Sequence, residues 1–167
     1  DTAAGSLSWS VISAPSYGTA VATGTGLFPS TFTYSPTADF NGSDSFDVQV
    51  SDGVLTDTIT VNVTVTAEND APVIAQGSGP ISKTVSEDVN ATWGSVDLNA
   101  TDVDVGDVLT WSVSSAASYG TTMASGTGLF PSTFTYAPDS NFSGSDSFDV
   151  QVSDGVLTDT ITVNVTV

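Results

Sequence analysis

The chain has 167 residues, a mass of 16.9 kDa and 39% hydrophobic residues, enough for one or two packed domains. Its 19 Asp and Glu face a single cation, Lys83, for a formal net charge of −18, and it has neither His nor Cys. One cation cannot neutralise a row of phosphates, which excludes nucleic acid and anionic lipid as partners. Without His and Cys there is no Ser–His triad, thiol nucleophile, disulfide framework or zinc site of the usual N/S kind.

Hard oxygen ligands are the metal chemistry that remains. No apolar run reaches the ~18 residues of a membrane span, and nothing reads as a signal peptide. The expectation is a soluble piece of something longer.

Residues 7–65 recur at 109–167 without a gap, an offset of 102, and 48 of the 59 aligned positions are identical. The 35 residues from Ala67 to Thr101, which open the second copy, have no counterpart ahead of the first. The expected organisation is therefore the later part of one repeat over 1–66, lacking its opening strands, and a complete repeat over 67–167. The strands missing from the first copy are expected to precede Asp1, the alternative being a strand donated by another chain.

Taken in chain order, the second copy alternates apolar and polar residues with period two. Val96, Leu98 and Ala100 come first, then Leu109, Trp111 and Val113, then Phe134 and Tyr136. Phe148, Val150 and Val152 follow, and Ile161, Val163, Val165 and Val167 close the chain. Thr160, Thr162, Asn164 and Thr166 between them suit a solvated outer face. No segment carries a helical stripe.

Turn signals such as Gly126-Thr127-Gly128 and Ser153-Asp154-Gly155 separate the strands. The spacing predicts about seven short strands per ~100 residues, an all-β fold of tandem antiparallel immunoglobulin-like sandwiches. Trp111, Phe134, Tyr136 and Phe148 form the expected core, with Trp9, Phe32, Tyr34 and Phe46 as their equivalents in the first copy.

The 17 Asp gather where strands end. Asp102, Asp104 and Asp107 lie in Ala-Thr-Asp-Val-Asp-Val-Gly-Asp, where alternate residues of an extended loop can aim two carboxylates at one point. Calcium turns that repulsion into attraction, whereas magnesium holds its waters too firmly. Asp52 and Asp154 also suit Ser-Asp-Gly turns, and Asp44 and Asp146 could cap loops.

Ala100-Thr101-Asp102-Val103-Asp104-Val105-Gly106 resembles the A-T-D-x-D-x-G of cadherin repeats, and Val152-Ser153-Asp154-Gly155 resembles their A-x-D-x-G. Glu68-Asn69-Asp70-Ala71-Pro72 is similar to the cadherin linker D-x-N-D-N-A-P, with Glu68 in place of its first Asp. The closing stretch, residues 142–155, is similar to cadherin-like tandem repeats of large bacterial adhesins, including those with repeats-in-toxin regions.

The resemblance implies calcium held between successive domains. By position its ligands would be Glu68, Asn69 and Asp70 from the linker, Asp102 and Asp104, Asp154, and, from the first copy, Asp39 and Asn41. Glu87 matches the acidic residue near the start of each cadherin domain and would serve a later junction. The second copy has Asn141 and Ser143 where the first has Asp39 and Asn41.

The function expected is non-catalytic: a calcium-rigidified spacer in a long extracellular bacterial adhesin or surface filament. Its partners would be calcium and neighbouring repeats of the same chain, with self-association in a filament and no insertion into a membrane. The alternative is a homophilic or carbohydrate-binding module of a secreted multidomain protein. Paired Asp residues could also serve a glycosidase, but no loop is long enough to build a substrate cleft.

Overall fold

The structure is a computed structural model that describes residues 7–94 and 97–167. It divides into two compact units, Asp1–Glu68 and Asn69–Val167. Among the described residues there are strands and turns and no helix. Val96, expected in a strand, lies outside the described residues.

The first unit is one five-stranded antiparallel sheet in the order β3-β2-β1-β4-β5. Its strands are β1 (Ser8–Ser13), β2 (Gly18–Thr25), β3 (Thr31–Pro36), β4 (Gly42–Ser51) and β5 (Thr56–Val65). The second unit opens with the short strands β6 (Val73–Ile74), β7 (Ile81–Thr84), β8 (Ala91–Thr92) and β9 (Ala100–Thr101). It continues with β10 (Thr110–Ser115), β11 (Gly120–Thr127), β12 (Thr133–Pro138), β13 (Ser145–Ser153) and β14 (Thr158–Thr166). Their order is β7-β14-β13-β10-β11-β12-β8, with β6 and β9 paired separately.

The repeat chooses the same register in both units. Trp9 faces Val50 as Trp111 faces Val152, and the irregularity between Val11 and Ser13 returns between Val113 and Ser115. Shared inward-facing residues explain this, because a slip of one position would turn every apolar side chain outward. The sheets are antiparallel, with one parallel pair among them: β7 runs parallel to β14, Ile81 beside Val163.

β11 pairs with β12 over Gly120–Ser125 and with β10 over its last two residues. The change of partner falls at Gly126, whose φ is 120°. A Cβ there would lie 2.3 Å from Ser132 Oγ and 2.6 Å from Ser132 N, so the position requires glycine on both counts.

The cores differ where the sequences do not. In the second unit Trp111, Phe134, Tyr136, Phe148 and Ile161 are all buried, together with Ile74, Leu98 and Ala100 from the opening segment. Trp93, from that same segment, stacks on Phe134 with ring centroids 4.4 Å apart. Among the described residues of the first unit, Ala22, Phe46 and Val48 form the buried cluster, with Trp9 and Tyr34 half-buried against it. Phe32 is 54% exposed, which corrects the expectation that it is a core residue. The physical reason is that core status needs a covering layer, and among the described residues nothing stands over Phe32 as Trp93 stands over Phe134.

Candidate metal centre

Three loops of the second unit meet at one end of its sheet. They are the entering segment Asn69–Asp70, the loop 102–107 that leads into β10, and the Ser153-Asp154-Gly155 turn between β13 and β14. β10 fixes two of them together, because Thr110 at its start pairs with Ser153. The loop then folds back at Gly106, where φ is 109°, and the Asp107 N–H points to the Asp104 carbonyl at 3.5 Å.

This fold-back gathers Asp102, Asp107 and Asp154, which each offer one carboxylate oxygen within 4.8 Å of the others. Asp102 Oδ1 accepts the Asp104 N–H at 3.0 Å, while Asp102 Oδ2 is buried without a hydrogen-bond partner. A buried carboxylate oxygen without a donor is costly unless a cation or proton reaches it. Asp107 is held above the usual carboxylate range, first by desolvation and then by the negative charges of Asp102, Asp104 and Asp154.

Asp154 is pulled the other way. Its Oδ1 accepts the N–H groups of Val156 and Leu157, each at 2.6 Å, and its Oδ2 accepts from the Asn69 amide at 2.8 Å. The Val156 hydrogen bond and then the Asn69 bond do most to lower its pKa, against some desolvation. The Ser-Asp-Gly turn and the acidic cluster therefore use the same residue.

Asp104 faces the entering segment. Its Oδ2 accepts the Asp70 N–H at 2.7 Å, and the Asn69 amide also reaches the Asp70 carbonyl at 3.0 Å. Asp104 and Asn69 thus tie the entering segment to the same two loops that carry the trio.

Residues 69–167 match the family model for a bacterial cadherin-like domain, and residues 1–64 match that for a bacterial Ig domain. The chain belongs to the bacterial cadherin-like domain family. No curated protein matches it by sequence.

Among solved structures it resembles an endo-fucoidan hydrolase from glycoside hydrolase family 107, at 21% identity and a TM-score of 0.42, over 96% of this chain and 23% of that one. It also resembles the protocadherin gammaB7 EC3-6 cis-dimer structure, at 16% identity and a TM-score of 0.47, over 94% of this chain and 40% of that one. Domains 4 and 5 of the S-layer protein SbsC are a further match, at 16% identity and a TM-score of 0.38, over 100% of this chain and 74% of that one. The chain thus spans less than a quarter of the hydrolase it matches.

In this cadherin-like chain the structure brings together Asn69, Asp70, Asp102, Asp104 and Asp154, as described above. Asp107 joins the trio although the family motif did not carry it; the signal was the Val-Gly-Asp step after Asp104, whose glycine permits the fold-back. Glu68, Asp39 and Asn41 belong to the first unit, and Glu68 is exposed. Asp39 sits in the turn between β3 and β4 at φ 60°, and Asn141 repeats it at φ 61°. Asp and Asn both tolerate that left-handed conformation, which is reason enough for either residue there. Glu87 is exposed, beside Asp88, whose carboxylate accepts the Asn141 N–H at 3.2 Å.

The loop-capping expectation for Asp44 and Asp146 holds in detail. Asp146 accepts the N–H groups of Ser118, Tyr119 and Ser147 and the Tyr136 hydroxyl at 2.9–3.1 Å, and Asp44 repeats the arrangement with Ser16, Tyr17, Ser45 and Tyr34. Desolvation pushes the Asp146 pKa up, but these hydrogen bonds outweigh it and hold it low; burial first and then the Asp146 bond push Tyr136 up to about 12. These carboxylates are fully engaged in holding the turns.

Proposed function

We propose that the chain is a calcium-rigidified spacer from a long extracellular bacterial adhesin or surface filament. One observation carries the metal: the buried, unpartnered Asp102 Oδ2 beside carboxylate oxygens of Asp107 and Asp154. The donor set fits calcium, which takes six to eight oxygens in adaptable geometry and accepts carbonyls and waters beside carboxylates. Asp102, Asp107 and Asp154 would hold the ion, and it would relieve the repulsion that, after desolvation, raises the Asp107 pKa.

Near-identical copies support the spacer role, since repeat arrays supply length and gain stability from neighbour contacts. Domains of this family are typical of surface or extracellular proteins. Among the described residues no helix is long and apolar enough to cross a membrane. The work of the ion is mechanical rather than catalytic. It would lock the 102–107 loop to the Ser153–Gly155 turn, and through Asp104 and Asn69 it would fix the point where the chain enters the second unit.

The test is thermal unfolding and small-angle scattering with and without calcium, for wild type and Asp102→Asn. A single site at a hundredfold excess over its dissociation constant stabilises the bound fold by about 2.7 kcal/mol. The wild-type melting temperature should rise with calcium and its scattering should report reduced flexibility, while Asp102→Asn loses both responses. Identical melting in chelator and excess calcium at constant ionic strength overturns the proposal.

A further inference from the structure

The two units offer the same face in two states. Trp9, Pro29, Phe32, Val48, Ile59 and Val61 line an apolar cavity of about 300 Å³ on the first unit. Their counterparts 102 positions on are the same residue types: Trp111, Pro131, Phe134, Val150, Ile161 and Val163. Yet Phe32 is 54% exposed against 3% for Phe134, and Ile59 63% against 1% for Ile161.

The second unit shows what closes this face. The segment from Ile81 to Trp93 runs along β14 as β7, crosses to the far edge of the sheet, and pairs with β12 as β8, Ala91 opposite Tyr136. Trp93 then donates its backbone N–H to the Phe134 carbonyl at 3.1 Å and lays its indole on the Phe134 ring. Lys83 steadies this indole, its Nζ 5.2 Å from the ring centroid and donating to the Thr92 carbonyl.

β5 and β3, the equivalents of β14 and β12, are the edge strands of the first unit's sheet. Their residues still carry the groups that the segment uses. An apolar face between two strands that are unpaired edges among the described residues is a site for strand addition, where backbone hydrogen bonds give affinity and side-chain pockets give selectivity.

The geometry points to this face as a receptor for an extended segment of the chemistry of Ile81–Trp93: a strand with alternate apolar residues for the β5 edge, then a short strand and an indole for β3 and Phe32. The occupant is a segment of this class rather than a second folded face. The segment in the second unit serves as its template, since the receiving residues are identical. The inference stands apart from calcium, because the acidic trio belongs to the second unit and this face to the first.

The experiment adds a synthetic peptide of residues 80–94 to the full chain and follows labelled-peptide anisotropy and sedimentation velocity, in chelator. Phe32→Glu and Ile59→Glu, both at exposed positions, serve as face variants, with circular dichroism checking that the strands persist. A peptide carrying Trp93→Ser tests the indole. The expected result is saturable one-to-one binding to the wild-type chain, weakened at least ~10-fold by either face variant or by loss of the indole.

No saturation up to ~1 mM peptide, or equal binding by wild type and face variants, overturns the inference. Concentration-dependent dimerisation that the peptide does not disrupt and that Phe32→Glu abolishes would assign the face to a second copy and overturn the segment as its occupant.

Discussion

Ile59 and Ile161 are the same residue in the same local sequence, which makes truncating each to Ala a measurement of the covering layer itself. Ile161 is 1% exposed and packed in the second unit's core, so Ile161→Ala should cost about 2–5 kcal/mol through lost transfer energy and the cavity left behind. Ile59 is 63% exposed, so only about a third of its surface leaves water on folding, and Ile59→Ala should cost roughly 1 kcal/mol or less. Urea unfolding followed by the indole N–H signals of the three Trp separates the units, Trp9 reporting the first and Trp93 and Trp111 the second. With a urea slope of about 1–3 kcal/mol per molar, Ile161→Ala should lower the second unit's midpoint by at least ~0.7 M, and at the same slope Ile59→Ala should lower the first unit's by about half of that or less. Equal shifts would refute the reasoning, because they would mean that both faces are equally covered in solution.

Asp146→Asn should destabilise the second unit by about 3 kcal/mol near neutral pH, since the amide nitrogen would set a donor against the Tyr119 N–H and the Tyr136 hydroxyl that Asp146 Oδ2 accepts, and urea unfolding measures it. The Asp146 pKa is lowered on folding, so its contribution is present above the ordinary Asp value and is lost as pH falls through the lowered folded value; the variant should lack that part of the wild-type acid slope, and an unchanged slope would remove Asp146 from the account. Gly126→Ala should cost at least ~2 kcal/mol, because the methyl would meet Ser132 at a φ of 120° that Ala rarely adopts; a melting temperature within a degree of wild type would show that β11 needs no glycine at its change of partner.

Much of the fold was legible because it rests on local rules. Period-two alternation in Ile161, Val163 and Val165 chose strand and facing at once, and those three are buried as that pattern requires. The repeat transferred the register from one copy to the other without error. Two things were not legible. The parallel pairing of β7 with β14 joins residues about 80 positions apart through a four-residue strand, and no local pattern specifies direction over that distance. The exposure of Phe32 is the other, because identical sequence does not carry identical environment: burial belongs to the whole layer arrangement.

The acidic site divides along the same line. Motif spacing pointed to Asp102 and Asp104 as a convergent pair, on the premise that alternate residues in an extended loop share a direction. The loop is not extended throughout: Gly106 turns it, Asp107 comes back toward Asp102, and Asp104 is left to receive the Asp70 N–H. The separation has a mechanical consequence. The residues proposed to hold the ion and the residue that holds the entering segment are different but adjacent, since Asp102 Oδ1 accepts the Asp104 N–H. An ion drawing on Asp102 Oδ2 would hold the Asp102 carboxylate in place, and with it the backbone that aims Asp104 at Asp70. Metal occupancy would then reach the entering segment through two hydrogen bonds, and the freedom of that segment would respond to calcium without itself supplying the primary ligands.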